Sequence, residues 1–231
     1  MALVAGGGVI LVAAIAAVRF HAPFEGASAG VAFGLYLFAG TLLVRRIGAF
    51  HPHRRFGLAN MLTLARLVAT CLLAGFAVEA ITGGPVDDPT AWMLFTFTVV
   101  ALALDGLDGL AARRFGLTSA FGARFDMEVD AFLILVLSVM AFALNKAGAW
   151  VLMSGLLRYI YVAAQVVWPV LTRPLPPAWR RKVIAVIQGC TLAALLMPVM
   201  HPPVSGIAAA CALLLLTCSF GIDIVMQVRR T

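Results

Sequence analysis

The chain has 231 residues, of which 63% are hydrophobic and only 12% are charged, and its mean hydropathy is +1.03. These values exclude a soluble globular domain and place the chain in a lipid bilayer. The net charge of +7 is explained by basic residues at one side of the membrane, so nucleic-acid binding is not expected. The four cysteines all lie in apolar stretches without CxxC spacing and predict neither a disulfide framework nor a zinc site.

Eight stretches are apolar enough to form membrane-spanning helices, since a bilayer core of about 30 Å requires about 20 apolar residues per helix. They cover roughly residues 3–19, 28–44, 58–80, 91–112, 123–144, 149–171, 183–200 and 205–226. The first is retained as a helix because it lacks the basic segment that begins a secretion signal. The predicted fold class is all-α, a polytopic transmembrane helical bundle of about eight spans.

Basic residues collect in alternate connections between these stretches, which is the pattern of cytoplasmic loops. The clusters are Arg45, Arg46, Arg54 and Arg55; Arg113 and Arg114; Arg173, Arg180, Arg181 and Lys182; and Arg229 and Arg230. The intervening loops are poor in basic residues, and Arg19 opposes the pattern. We therefore expect both termini in the cytoplasm.

The segment before the third stretch, residues 48–60, is too polar to cross the bilayer and too apolar to form a free loop. Phe50 and Phe56 on one side, with Arg54 and Arg55 on the other, are typical of a segment that lies along lipid headgroups. We predict an interfacial segment on the cytoplasmic side of the membrane.

Three polar residues, Asn60, Thr63 and Arg66, follow one another at i, i+3 and i+6 at the start of the third stretch. An arginine this deep in an apolar helix needs a partner. We predict that the acidic cluster farther along the chain, or a bound pyrophosphate, pairs with Arg66. The alternative is an arginine that reaches back to the membrane surface beside two capping side chains.

Four of the seven aspartates fall between residues 105 and 130. Helical spacing places them, with small residues, on one face of the fourth stretch and one face of the fifth: Asp105, Asp108, Gly109 and Ala112, then Gly122, Asp126 and Asp130. Two such faces would enclose a gap with oxygen ligands only, which predicts an Mg²⁺ or Mn²⁺ site. Arg113 follows directly and would bind phosphate. The alternative is a polar seam between two packed helices.

These residues also match a known pattern of spacing. Asp105, two residues, Asp108-Gly109, two residues, Ala112-Arg113, eight residues, Gly122, three residues, Asp126, three residues and Asp130 resemble the signature of the CDP-alcohol phosphotransferase family. The third stretch resembles the family's Pro-Asn, Thr, Arg pattern, with Ala59 in place of the proline. The resemblance implies a six-helix catalytic core in residues 58–231, preceded in residues 1–57 by two extra transmembrane helices and the interfacial segment.

The resemblance implies a reaction in which an acceptor alcohol attacks a CDP-alcohol, most often CDP-diacylglycerol in bacteria, and CMP is released. It implies that Mg²⁺ or Mn²⁺ is bound by Asp105, Asp108 and Asp126, with Asp130 as a further ligand or as the general base. Nucleotide contacts are implied for a second set: Gly109, Ala112, Arg113, Gly122, Asn60, Thr63 and Arg66. It further implies a homodimer, which would be in contact with membrane lipids. Because the acidic residues lie near the same helix ends as the basic connections, we expect the active site to be open to the cytoplasm, in a protein of the bacterial inner (plasma) membrane.

The acceptor alcohol is not identified by the sequence. Arg158, inside the sixth stretch, and Arg181 and Lys182, before the seventh, are candidate acceptor contacts. Alternatively, Arg158 pairs with a core carboxylate and the other two only mark the cytoplasmic side. The proline and lysine that accompany the last two aspartates in many phosphatidylglycerophosphate synthases are absent, which weakens an assignment to that activity.

Two other functions remain open at this point. The same signature permits transfer from CDP-choline or CDP-ethanolamine to diacylglycerol. A divalent-cation transporter, from a different class, would need acidic residues on both sides of the membrane, whereas here they cluster on one side. Glu79 and Asp223 are interpreted as helix-end residues without a function.

Overall fold

A computed structural model describes the backbone of residues 2–19, 24–50, 58–115 and 120–229, and within them all side chains except those of 2–3, 44–50, 58–59, 105–115 and 120–121. These ranges form eight α-helices: α1 (Ala2–Arg19), α2 (Gly26–Phe50), α3 (Leu58–Ile81), α4 (Asp88–Phe115), α5 (Ala120–Ala143), α6 (Met153–Val167), α7 (Trp179–Leu195) and α8 (Val204–Arg229). Two short 3-10 helices, Ala149–Leu152 and Pro169–Thr172, flank α6. The all-helical fold is therefore as predicted.

Two of the predicted stretches differ from the observed helices at their ends. The sixth ends as an α-helix at Val167, because Trp168 precedes Pro169 and takes an extended conformation. The seventh begins four residues earlier than predicted, so that Arg180 lies in its first turn, and it ends at Leu195 before Pro198. Of the predicted interfacial segment, residues 48–50 form the end of α2 and residues 58–60 form the start of α3. Residues 51–57 lie outside the described part of the chain.

Four segments of the described chain are both long and apolar enough to cross a bilayer: Gly26–Leu43, Asn60–Ile81, Ala149–Val167 and Val204–Arg229. Helices α1 and α4 carry shorter apolar segments, Val4–Arg19 and Asp88–Leu104. The apolar sequence of α5 is interrupted by four charged residues between 124 and 130, and that of α7 by the basic residues 180–182. The chain is an integral membrane protein, and crossing by all eight helices stays a prediction.

Helix α3 is the centre of the bundle and packs against α1, α2, α4 and α5. Helix α7 packs against α4, α5 and α8. Although α4 and α5 are consecutive, each packs on α3 and on α7, and the two share no extended contact within the described residues. Helices α3 and α7 therefore each contact both α4 and α5, and the predicted gap between α4 and α5 would have α3 as one wall and α7 as the other.

The two N-terminal helices are attached to α3 by a close contact and a buried carboxylate. Gly75 allows the approach, since a Cβ there would lie 2.9 Å from the carbonyl oxygen of Ser28. The buried Glu79 carboxylate accepts hydrogen bonds from Ser28 Oγ at 2.6 Å and from the backbone N–H of Glu25 at 3.1 Å. Glu79 thus binds the N-terminus of α2, where backbone N–H groups lack helical partners. Glu79 lies in the last turn of α3, as predicted, and its contacts with the start of α2 are ones that the sequence did not indicate.

At the opposite end of α5, Lys146 joins three helices. Its Nζ donates to the carbonyl oxygens of Met200 at 2.7 Å and Met197 at 3.2 Å, beyond the end of α7, and Ser205 Oγ donates to the Lys146 carbonyl at 2.6 Å. Burial lowers the pKa of the Lys146 ammonium, and the nearby Asp88 carboxylate opposes that shift. Because the ends of α5 and α7 meet at Lys146, the two helices run parallel.

Candidate active site

The start of α5 and the end of α4 carry the acidic positions of the predicted site. Asp126 and Asp130 lie about 9 and 15 Å along α5 from its first residue, and Arg66 lies about 12 Å along α3, at 1.5 Å per residue. Asp105 lies about 15 Å before the end of α4. The connections of the bundle bring these helix ends to the same side, so the positions occupy similar depths.

Arg66 binds both described aspartates of the site. Its Nη1 donates to Asp126 Oδ1 at 2.9 Å, and its Nη2 forms an ion pair with Asp130 Oδ1. Asp126 and Asp130 stand one helical turn apart, so the two nitrogens of one planar guanidinium can reach both carboxylates. The prediction that acidic residues supply the partner of Arg66 is confirmed, and the alternative of an arginine at the membrane surface is wrong.

The ion-pair group of Arg66, Asp126 and Asp130 combines a buried cation with two partly exposed anions. The Arg66 side chain is only 1% exposed, whereas the carboxylates of Asp126 and Asp130 are 33% and 42% exposed. The guanidinium is thus held in the protein interior, whereas both carboxylates keep an exposed part. With both acids ionised, one cation faces two anions, and the net charge of −1 favours a further cation on the open side.

The other predicted residues of α3 and α5 lie on the same side of the bundle. Asn60 and Thr63 are buried on α3, about two turns and one turn before Arg66, respectively, and Thr70 Oγ1 donates to the Arg66 carbonyl at 2.8 Å. Gly122 is half-buried, one turn before Asp126. The structure therefore brings these predicted site residues together around the α3–α5 contact.

The remaining signature residues lie in the last three turns of α4: Asp105, Asp108, Gly109, Ala112 and Arg113. Their backbone is helical, as predicted, and their side chains lie outside the described part of the structure. Among the described side chains, no three His, Cys, Asp or Glu residues form a group that could hold a metal ion. Asp126 and Asp130 supply oxygen donors of the kind that Mg²⁺ and Mn²⁺ prefer, and they fit the predicted site as two of its four ligands.

Arg158, a candidate acceptor contact, lies on α6 and pairs with Glu128, which is two residues from both Asp126 and Asp130 and so lies on a different face of α5. Its Nη2 donates to Glu128 Oε1 at 2.6 Å, which links α6 to the acidic segment of α5. The Glu128 side chain is 59% exposed and that of Arg158 is 31% exposed. The pairing gives Arg158 a carboxylate partner, as the alternative requires, but that carboxylate is exposed rather than buried in the core, and about a third of the Arg158 side chain stays exposed.

Arg180 and Arg181, at the start of α7, form a cluster with α8. The buried Asp223 carboxylate accepts from Arg180 Nη2 at 2.6 Å and from Arg181 Nη1 at 3.2 Å, and Arg180 Nη1 donates to Ser219 Oγ at 2.5 Å. Lys182 is exposed. Asp223 therefore joins α8 to α7 and is more than a helix-end residue. No local sequence pattern indicates this contact, because its partners lie about 40 residues away in α7.

Comparisons with known proteins agree with this geometry. The family model described as CDP-alcohol phosphatidyltransferase matches residues 56–220. The chain is also similar to proteins named probable phosphatidylglycerophosphate synthase from two strains of Mycobacterium tuberculosis, CDC 1551 / Oshkosh and ATCC 25618 / H37Rv. For each, 28% of 174 aligned residues are identical, covering 75% of this chain and 82% of the relative. No solved structure matches the chain.

The family match covers α3 to α7 and most of α8 and leaves α1 and α2 outside. It includes Arg66 and all four aspartates of the predicted site. Because it extends over more than half of the sequence, this chain belongs to the CDP-alcohol phosphatidyltransferase family.

Proposed function

We propose that this enzyme transfers a phosphatidyl group from CDP-diacylglycerol to an acceptor alcohol and releases CMP, with Mg²⁺ or Mn²⁺ at the gap between α4 and α5. The observation that carries the proposal is the buried Arg66 bound to Asp126 and Asp130 at the signature positions of α5. We place the gap on the cytoplasmic side of the bacterial inner membrane, because the basic connections of the chain lie at the same helix ends.

Asp105, Asp108, Asp126 and Asp130 would hold the divalent cation. When bound, it would neutralise negative charge that develops on the pyrophosphate as CMP leaves. Arg66 binds Asp126 and Asp130 from the buried side, which would keep their exposed oxygens directed to the gap. Ligands that are already in position do not need to move as charge develops in the transition state. Such preorganisation accounts for a large part of the rate enhancement of many enzymes.

The other signature residues would bind the nucleotide and its phosphates. Gly109, Ala112 and Gly122 lack bulky side chains, which would let the cytidine approach the backbone of α4 and α5. Arg113 would bind phosphate, and Asn60 and Thr63 would supply hydrogen bonds from α3. The diacylglycerol tails would stay in lipid, beside the bundle, while the headgroup reacts in the gap.

Asp130 would serve as the general base for the acceptor hydroxyl, in addition to its contact with the cation. It lies one turn, or about 6 Å, deeper along α5 than Asp126. That depth would place it beside the acceptor rather than beside the nucleotide. Its half-exposed carboxylate is open to the gap and can receive a proton there.

The acceptor alcohol is the open part of the proposal. The names of the two relatives indicate a glycerol phosphate acceptor for those proteins. In this chain, Arg158, Arg181 and Lys182 are the candidate contacts for a phosphorylated acceptor, and Arg158 and Arg181 keep about a third of their side chains exposed despite their ion pairs. These features support glycerol 3-phosphate as the first acceptor to test.

The test is CMP release by purified protein in the presence of CDP-diacylglycerol, Mg²⁺ and one acceptor at a time: glycerol 3-phosphate, inositol phosphate, serine or choline. We expect release with at least one acceptor. A parallel assay supplies CDP-choline as the donor and diacylglycerol as the acceptor. Release of CMP in that assay alone would show that the donor is CDP-choline and not CDP-diacylglycerol. Folded protein that releases CMP in none of these assays would contradict the proposed function.

A further inference from the structure

The connection between α6 and α7, residues 168–178, has large exposed apolar side chains at both of its ends. Val166 and Val167 end α6 and are 83% and 71% exposed, and Trp168 directly after them is 64% exposed. Trp179 begins α7 and is 80% exposed. Apolar surface of this extent is rarely left in contact with water, and it marks a place where a protein or a membrane is bound.

The backbone of the connection is fixed against the end of α8. The carbonyl of the buried Leu171 accepts hydrogen bonds from Gln165 Nε2 and from Gln227 Nε2, both at 3.0 Å. Gln227 Nε2 also donates to the Arg173 carbonyl at 2.8 Å, and Arg173 Nη1 lies 3.5 Å from the Gln227 carbonyl. Gln227 is two residues before the last residue of α8, so the connection packs beside that helix end. Trp168 is thus attached to a well-anchored part of the chain.

The helix ends place the two tryptophans at the boundary of the bilayer core. The apolar segment Ala149–Val167 is long enough to cross the membrane, and Trp168 follows its last residue. The short connection puts Trp179, at the start of α7, on the same membrane face. Because α5 and α7 run parallel, this is also the face at which α5 begins. Tryptophan is enriched at this depth in membrane proteins, since its ring contacts acyl chains while its Nε1–H reaches polar headgroups.

The charge of the same region favours an anionic partner. Residues 173–182 contain no acid and four cations, which are Arg173, Arg180, Arg181 and Lys182. Arg180 and Arg181 share the carboxylate of Asp223. Neither Arg173 nor Lys182 has an ion pair within the part of the chain that the structure describes. A second copy docked here by two-fold symmetry would bring the same positive charge, whereas anionic lipids bring the opposite charge.

We infer that this surface, formed by Trp168, Trp179, Arg173 and Lys182, anchors the α6–α7 connection in the headgroup layer and binds anionic phospholipids. The two tryptophans insert at the base of the headgroups, where they continue the apolar surface at the end of α6. Arg173 binds lipid phosphate, and Lys182 adds to the attraction. The inference goes beyond the proposed function and does not depend on it.

The test uses proteins with a single tryptophan in lipid nanodiscs, in which water reaches both membrane faces. One protein keeps Trp168 and another keeps Trp179, with the other tryptophans of the chain replaced by phenylalanine. The discs hold an equimolar mixture of phosphatidylcholine and phosphatidylglycerol, and one of the two lipids carries brominated acyl chains, which quench fluorescence on contact. We expect phosphatidylglycerol to associate with both tryptophans about 3- to 10-fold more strongly than phosphatidylcholine. Acrylamide dissolved in the water should quench both only weakly.

A protein that keeps Trp150 alone is the matched control. Trp150 is 41% exposed and lies between α5 and α6, on the opposite membrane face, where the buried Lys146 is the only basic residue of the connection. Its association with the two lipids should agree within about 2-fold, because no exposed cation lies beside it in that connection. Combining Arg173→Gln with Lys182→Gln should reduce the preference at the other two tryptophans to this control value, and added salt should weaken it.

The quenching patterns decide between the possible surroundings of the connection. Strong quenching by acrylamide with none by brominated lipid would overturn the inference, because the connection would then face water. Protection from both quenchers would overturn it as well, since protein would then cover the tryptophans, as in a contact between two copies. Equal quenching by the two lipids, or a preference that the charge variant retains, would show that these cations do not select anionic headgroups. If the single-tryptophan proteins do not fold, the wild type compared with Trp168→Phe and Trp179→Phe gives the same measurement by difference.

Discussion

Arg66 provides the sharpest test of the site, because it is the only member of the described ion-pair group that lies wholly inside the protein. Arg66→Met removes the cation and keeps an unbranched apolar side chain. The carboxylates of Asp126 and Asp130, one helical turn apart on α5, then lose the guanidinium that links both of them to α3. We expect the free energy of unfolding to fall and the affinity for a divalent cation to rise.

The magnitude follows from burial. Removing one partner of a fully buried ion pair costs about 3–5 kcal/mol. Here the two acids are 33% and 42% exposed, so water relieves part of their repulsion, and we expect a loss of about 1–3 kcal/mol. For a chain of this length, 1 kcal/mol corresponds to about 2–4 °C in melting temperature. Arg66→Met should therefore melt several degrees below the wild type in EDTA.

The assay is thermal unfolding in detergent, first in EDTA and then with Mg²⁺ added. Mg²⁺ should raise the melting temperature of Arg66→Met more than that of the wild type, because the cation then binds two acids that have lost their own counter-charge. Arg158→Met is the matched control: it breaks a pair with the exposed Glu128 and should cost less than about 1 kcal/mol. Equal melting temperatures for the two variants in EDTA, or an equal gain from Mg²⁺ in Arg66→Met and wild type, would refute this reasoning.

Two further predictions concern carboxylates with different tasks. Asp130→Asn should leave binding of CDP-diacylglycerol near normal and lower kcat by about 10²- to 10⁴-fold, the range for a lost general base. Asp105→Asn, in contrast, should lose nucleotide and metal binding together. Equal loss of binding in both variants would show that Asp130 acts first as a ligand. Glu79→Gln should reduce the melting temperature and leave kcat unchanged, because among the described residues the Glu79 carboxylate bonds to Glu25 and Ser28 at the start of α2 and not to the site. An unchanged melting temperature would show that the carboxylate does not hold α2.

The all-helical fold and the centre of the site could be predicted because both depend on local sequence. Apolar length gives the helices, and spacing of four residues places Asp126 and Asp130 on one face of α5. The partner of Arg66 was predictable for a physical reason, since a buried guanidinium requires anions and the chain has few. These inferences need no knowledge of which helices are neighbours.

The contacts that sequence reasoning missed join residues far apart in the chain. Glu79 binds Ser28, 51 residues away, and Asp223 binds Arg180, 43 residues away, so no local pattern connects them. The start of α7 was misplaced because its first turn consists of basic residues, which resemble a loop when their partners are unknown.

The central claim is that the acidic gap catalyses phosphatidyl transfer. The most direct measurement follows CMP and the new phospholipid together, for wild-type protein and Asp108→Asn, with CDP-diacylglycerol, the acceptor identified in the panel, and either Mg²⁺ or EDTA. We predict equal molar amounts of CMP and phospholipid from the wild type with Mg²⁺, and neither product from Asp108→Asn or in EDTA. CMP without a matching lipid product, or full turnover by Asp108→Asn, would contradict the claim.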